Sequence, residues 1–190
     1  MKKKKKNLVW KVLLIIAILL VTLFFCRGCA YRTVVSYKDS GGRKNYKVKD
    51  KNLSVFIEDN IPQGQAKDIE SIIDLSQQVT DKALRYSSDI KENDPNKLVL
   101  LKRANNTGYA GFTAATGNYL IDKYKLSKVW EAKPVKGKIY LLGNDMYAKT
   151  KSKSYKDVDF VIFRNKATGR EICVDPLLYD KWGIDRINKY

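Results

Sequence analysis

Gly108 to Leu126 reads GYAGFTAATGNYLIDKYKL, and the fold turns on this stretch. Ala110, Gly111, Ala114, Ala115 and Gly117 are interleaved with Tyr109, Phe112, Tyr119, Leu120 and Ile121, which leaves no continuous polar face. A helix that is apolar all round is buried, and small side chains let its backbone approach its neighbours. The stretch therefore predicts a central helix in close contact with its surroundings.

Downstream, four runs read as strands: Lys128 to Ala132, Lys138 to Leu142, Asp159 to Phe163 and Glu171 to Asp175. Turn residues separate them at Pro134 to Gly137, Gly143-Asn144-Asp145 and Ala167-Thr168-Gly169. Upstream, Ile69, Ile72, Ile73, Val79, Ala83, Leu84 and Tyr86 recur at helical spacing within Gln65 to Ser88. Asp94-Pro95 is a helix start, with Asp able to cap and Pro at the first helical position. Leu53, Val55 and Ile57 alternate as a short strand would, ended by Pro62 and Gly64. Helices followed by strands predict an α+β domain in which a central helix packs on an antiparallel sheet. The expected division is a leader over 1–30, a stalk, hairpin or lead-in over 31–64, and the folded domain over 65–190.

In the leader, Lys2 to Lys6 precede Leu8 to Cys26, nineteen residues in which Lys11 is the one charge. That length predicts a transmembrane helix contacting the cytoplasmic membrane through residues 8–26, and the lysines place the N-terminus inside. The domain is then extracytoplasmic. Val12 to Phe25 also has the length of a signal-peptide apolar region, with Gly28 and Ala30 placed for cleavage after Ala30, which would secrete the domain.

The chain has 190 residues, 37 Lys and Arg against 20 Asp and Glu, three cysteines and no histidine. Seven of the basic residues lie in 1–30, which holds no acid, so residues 31–190 carry +10. The absence of imidazole excludes His-dependent triads and His-ligated zinc, and a four-thiolate zinc site needs one more cysteine than the chain has. No cofactor or metal is expected. Cys26-Arg27-Gly28-Cys29 has C-x-x-C spacing, but it falls at the end of the apolar segment rather than in a βα unit, and reads as two interfacial thiols.

Four segments carry a family resemblance: Leu84-Arg85-Tyr86-Ser87 at a helix end, Lys102 to Ala110, Asp157-Val158-Asp159-Phe160, and Glu171-Ile172-Cys173-Val174-Asp175-Pro176. In order and spacing the stretch Ile69 to Asp180 resembles the transglutaminase-like family, which has the papain-type cysteine hydrolase fold. The resemblance implies a nucleophilic Cys opening the central helix, a His on a strand and an Asp on the next strand. At those positions this chain has Asn106, Val158 and Asp175. A thiol at a helix N-terminus is acidified by the macrodipole and a neighbouring imidazole moves its proton, so losing both removes the chemistry.

The resulting expectation is an inactive, membrane-anchored, extracytoplasmic module that binds a peptide or protein, or acts as a scaffold, through an inherited groove around Thr107, Gly108, Tyr109 and Trp182. Trp130 is a further aromatic candidate for that groove. Two alternatives stand beside it. One is a hydrolase with displaced chemistry, using Thr107 or Ser87 with a Lys base, or Cys173, which shares a strand face with Asp175. The other is a basic module with weak, non-specific affinity for anionic cell-surface polymers and no specific recognition of nucleic acid. Asp175 reads equally as a cleft residue and as the cap of a turn before Pro176.

Overall fold

The computed structural model describes residues 2–62, 64, 68–148 and 157–190. In chain order these form α1 (Lys2–Phe25), α2 (Arg27–Val34), β1 (Val35–Gly42), α3 (Lys51–Asp59), α4 (Ile69–Ala83), β2 (Arg85–Tyr86), α5 (Pro95–Leu101) and β3 (Arg103–Ala104). The second half forms α6 (Asn106–Lys123), β4 (Trp130–Leu141), β5 (Asn144–Asp145), β6 (Val158–Asn165), β7 (Glu171–Val174), α7 (Pro176–Trp182) and β8 (Asn188–Lys189). The architecture is α+β.

The main sheet runs β7-β6-β4-β1-β8, with β5 attached to β4. Its pairs are antiparallel except β1 with β8, which is parallel. Ile187, just before β8, bridges Cys173 on β7 and donates its N–H to the Cys173 carbonyl at 3.0 Å. The sheet thus curls almost into a closed barrel, a closure that the expectation of an antiparallel sheet did not include.

Closure produces two cores, and alternate residues of β6 serve one each. Val161 and Phe163 face α6 and join the larger core, built with Leu53, Ile57, Ile72, Val79, Leu98 and Phe112. Val158, Phe160 and Ile162 point into the barrel with Val35, Tyr37, Val135, Cys173 and Ile187. The sheet approaches α6 so closely that a Cβ on Gly117 would lie 2.6 Å from the Phe163 ring. That contact is why the central helix is rich in small residues.

The expected transmembrane helix is corrected. No helix among the described residues is long and apolar enough to cross a membrane. Helix α1 begins at Lys2, so the lysine run is part of it, and Lys11 interrupts the apolar residues beyond that run. The uncharged stretch Val12 to Phe25 is fourteen residues, about 21 Å of helix at 1.5 Å per residue, against a hydrocarbon core of about 30 Å. The bond after Ala30 lies inside α2.

Three local expectations also change. Residues 31–64 do not stand apart as a stalk: they place β1 in the sheet and α3 in the larger core. Leu53 to Ile57 is helical, not extended, because Leu53 and Ile57 are buried one turn apart while Val55 is exposed, and Asp50 caps the helix through the Asn52 N–H. Pro134 to Gly137 is not a turn but the middle of one long strand, β4. Gly137 sits there because a Cβ would strike the Lys38 carbonyl on β1 and the Phe160 ring on β6. Helix α4 starts at Ile69, capped by Asp68 through the Ser71 N–H; Gln65 to Lys67 lie outside the described residues.

Candidate functional site

The three implied catalytic positions fall at the start of α6, the start of β6 and the end of β7. Asn105 caps α6 by accepting the Gly108 N–H at 2.9 Å, and its own amide donates to the Ile90 carbonyl at 2.7 Å. Asn106 is therefore the first helical residue, where orphan N–H groups point outward. Its side-chain oxygen is buried and has no hydrogen-bond partner among the described residues.

The next residue ties α6 to the sheet: Thr107 Oγ1 donates to Asp159 Oδ2 at 2.7 Å. Arg43 Nε donates to the other Asp159 oxygen at 2.5 Å, and its guanidinium lies 3.7 Å from Asp157. Asp159, not Val158, faces α6. Alternation along β6 sends Val158 into the barrel beside Tyr37 and Phe160, so the position expected for the base does not address the helix N-terminus.

Asp175 is buried at the end of β7 and caps α7, accepting the Leu177 and Leu178 N–H groups at 3.1 Å each. Its second oxygen accepts the Tyr37 hydroxyl at 3.0 Å. With that proton committed, the Tyr31 hydroxyl is the donor in its 2.8 Å contact with Tyr37. Burial pushes the Asp175 carboxyl up to about 6, against the lowering effect of these hydrogen bonds, and the Asp159 charge adds to the rise. Burial also raises Tyr37 and Tyr31, and Tyr147, which feels the Asp175 charge, is pushed up to about 12. Asp175 serves both as turn cap and as barrel-mouth carboxylate.

The candidate nucleophilic hydroxyls and thiols are each engaged, buried or exposed. Thr107 gives its proton to a carboxylate already engaged by a guanidinium, and a carboxylate is a weak base toward an aliphatic alcohol. Ser87 is buried and accepts from Arg103 at 3.0 Å. The Cys173 thiol lies in the barrel core and is pushed up to about 12 by burial, so it is protonated at neutral pH. Cys26 and Cys29 are exposed and free. Among the described residues no group of His, Cys, Asp and Glu has the arrangement to hold a metal ion.

The expected groove does not assemble. Gly108 packs so tightly that a Cβ would meet Ala104 at 2.8 Å. Tyr109 is fully buried, its one hydroxyl proton shared between the Leu84 carbonyl at 3.2 Å and Asp180 at 3.3 Å. Trp182 is exposed at the end of α7, and Trp130 is mostly buried at the start of β4. The pairs Arg43–Asp159 and Tyr37–Asp175 were not anticipated; both acids were in view, but nothing local marks Arg43 or Tyr37 as their partners.

Compared with protein-family models, with curated proteins and with solved structures, the chain matches none.

Proposed function

We propose that the domain is a degenerate transglutaminase-like module that binds a peptide or protein segment without transforming it. Its Lys-rich apolar leader directs it to a membrane surface. The observation that carries the reading is Asn106. It occupies the first position of α6, where the family would place its thiol; among the described residues its buried amide oxygen has no hydrogen-bond partner, and the first turn of a helix carries N–H groups without intrahelical partners. The carboxamide oxygen there can accept from a peptide N–H while N–H groups at the helix end donate to a peptide carbonyl. The neighbouring hydroxyl and acids are already bonded to one another, so nothing adjacent supplies a base.

The test is a pair of measurements on the full chain. Pull-down from envelope extract should recover a peptide-bearing partner, and Asn106→Leu should abolish the capture while the fold is retained by circular dichroism. Peptidase and transamidase assays on the same preparation should show no thiol-dependent turnover. Capture unaffected by Asn106→Leu, or turnover blocked by iodoacetamide, would overturn the proposal.

A further inference from the structure

A second surface, unrelated to the start of α6, combines exposed leucines with cations that have no carboxylate partner. Helix α5 ends in Leu100 and Leu101, which are 66% and 49% exposed. The chain then turns at Lys102, whose left-handed backbone caps the helix, and enters β3 at Arg103. β2 lies alongside in parallel: Arg85 pairs with Arg103, and the Arg85 N–H donates to the Lys102 carbonyl at 2.9 Å. Two exposed leucines and three cations thus share one small surface. Among the described residues none of these three cations has a carboxylate within salt-bridge distance: Arg85 donates to the Asp81 and Leu84 carbonyls, and Arg103 to Ser87.

The surface continues toward the leader. Asp81, one turn before Arg85, lies beside Asp180 and feels the charges of Arg85 and Lys181. After Lys181 comes Trp182, 65% exposed, whose carbonyl accepts Arg27 Nε at 2.5 Å. Arg27 in turn donates to the Phe24 carbonyl at 2.9 Å, the last turn of α1. The indole therefore sits where the apolar leader joins the domain, and Asp81 and Asp180 lie between it and Arg85.

We propose that this side of the domain rests on an anionic lipid surface, with Leu100, Leu101 and Trp182 entering the headgroup region and Arg85, Lys102 and Arg103 meeting lipid phosphates. Large exposed apolar side chains ringed by cations are the composition of an interfacial contact, and an indole is at home where one end is wet and the other apolar. Each cation near a charged surface adds attraction that salt screens. An acidic protein or a nucleic acid would satisfy the cations, but would leave two adjacent leucines facing a polar partner. The inference does not depend on the transglutaminase-like reading.

The experiment uses the full chain with Trp10→Phe, so that the leader contributes no indole, on vesicles of phosphatidylglycerol or of phosphatidylcholine with brominated acyl chains. Trp130 is mostly buried and supplies a constant background. Trp182 emission should be quenched on phosphatidylglycerol, several-fold more than on phosphatidylcholine, and the quenching should recede as salt is raised. Leu100→Ser with Leu101→Ser, or Lys102→Glu with Arg103→Glu, should remove most of it while the chain stays on the vesicles through α1. All four positions are exposed, so the variants are expected to fold. Equal quenching by both lipids, no quenching with the chain bound, or quenching unchanged in both variants would each overturn the proposal. So would competition by an acidic peptide or by DNA that leaves the leucine variants unaffected.

Discussion

The Tyr37 hydroxyl donates to Asp175 Oδ2 at 3.0 Å, joining β1 to the end of β7 across 138 positions of the sequence. Burial overrides this bond and the two backbone donors, and the Asp175 carboxyl is held at about 6. An unfolded Asp titrates near 3.9, so the native state binds this proton more tightly than the unfolded chain does. Asp175 therefore contributes stability that is fully present below about pH 4 and is lost as pH rises through about 6, on the order of 3 kcal/mol in total. Asp175→Asn keeps the cap on α7 and a partner for Tyr37. Denaturant melts should show the variant more stable than wild type at pH 8, with the gap closing by pH 4. A gain of equal size at both pH values would show that the charge is not the cause.

Asn106→Cys, made with Cys26 and Cys29 changed to Ser, should give a thiol that iodoacetamide labels with a pKa below the ordinary value of about 8.5, because α6 opens there. Cys173 stays silent in this assay, its thiol being buried and pushed up to about 12. Adding Asp159→Asn removes a negative charge bonded to Thr107 and should lower the pKa further. Adding Val158→His should not, because that side chain points into the barrel; its effect should be lost stability. A Val158→His variant that folds normally and acidifies the thiol would show that β6 presents the other face to α6.

Gly117→Ala tests the closeness of α6 to β6. The new methyl would lie 2.6 Å from Phe163 Cε1 and 2.9 Å from Cζ, and the ring is fully buried. Overpacking of this kind costs about 1–3 kcal/mol, more than the gain in helix propensity of about 1 kcal/mol from replacing Gly by Ala. The urea midpoint should fall, and Gly117→Ala with Phe163→Leu should recover part of the loss. A single variant as stable as wild type would mean that the sheet stands further from the helix.

What the sequence disclosed depended on the range of the forces involved. Helix α6 was legible because its small residues are a local record of close approach, and Asp94 and Pro95 marked α5 because capping acts over three residues. Pro134 and Gly137 misled: both are turn residues by local chemistry, yet β4 runs through them because neighbouring strands need a position without a Cβ. Val55 completed an alternation whose meaning depended on which side was buried, and only packing decides that. At the candidate site Asp175 and Asn106 stood out by their neighbours in sequence. Arg43 and Tyr37 did not, since their partners lie 116 and 138 residues away.

Ser36 on β1 pairs with Asn188 on β8, and the Tyr37 carbonyl accepts the Tyr190 N–H at 2.7 Å. An early strand thus waits for residues some 150 positions later before its second edge is filled. Loop closure over that span is entropically unfavourable until the intervening sheet has formed, and folds dominated by distant pairings assemble slowly. While the chain is delivered from its N-terminus, β1 has its flank unpaired and the barrel cannot shut. The barrel therefore stays ajar until β8 has joined β1.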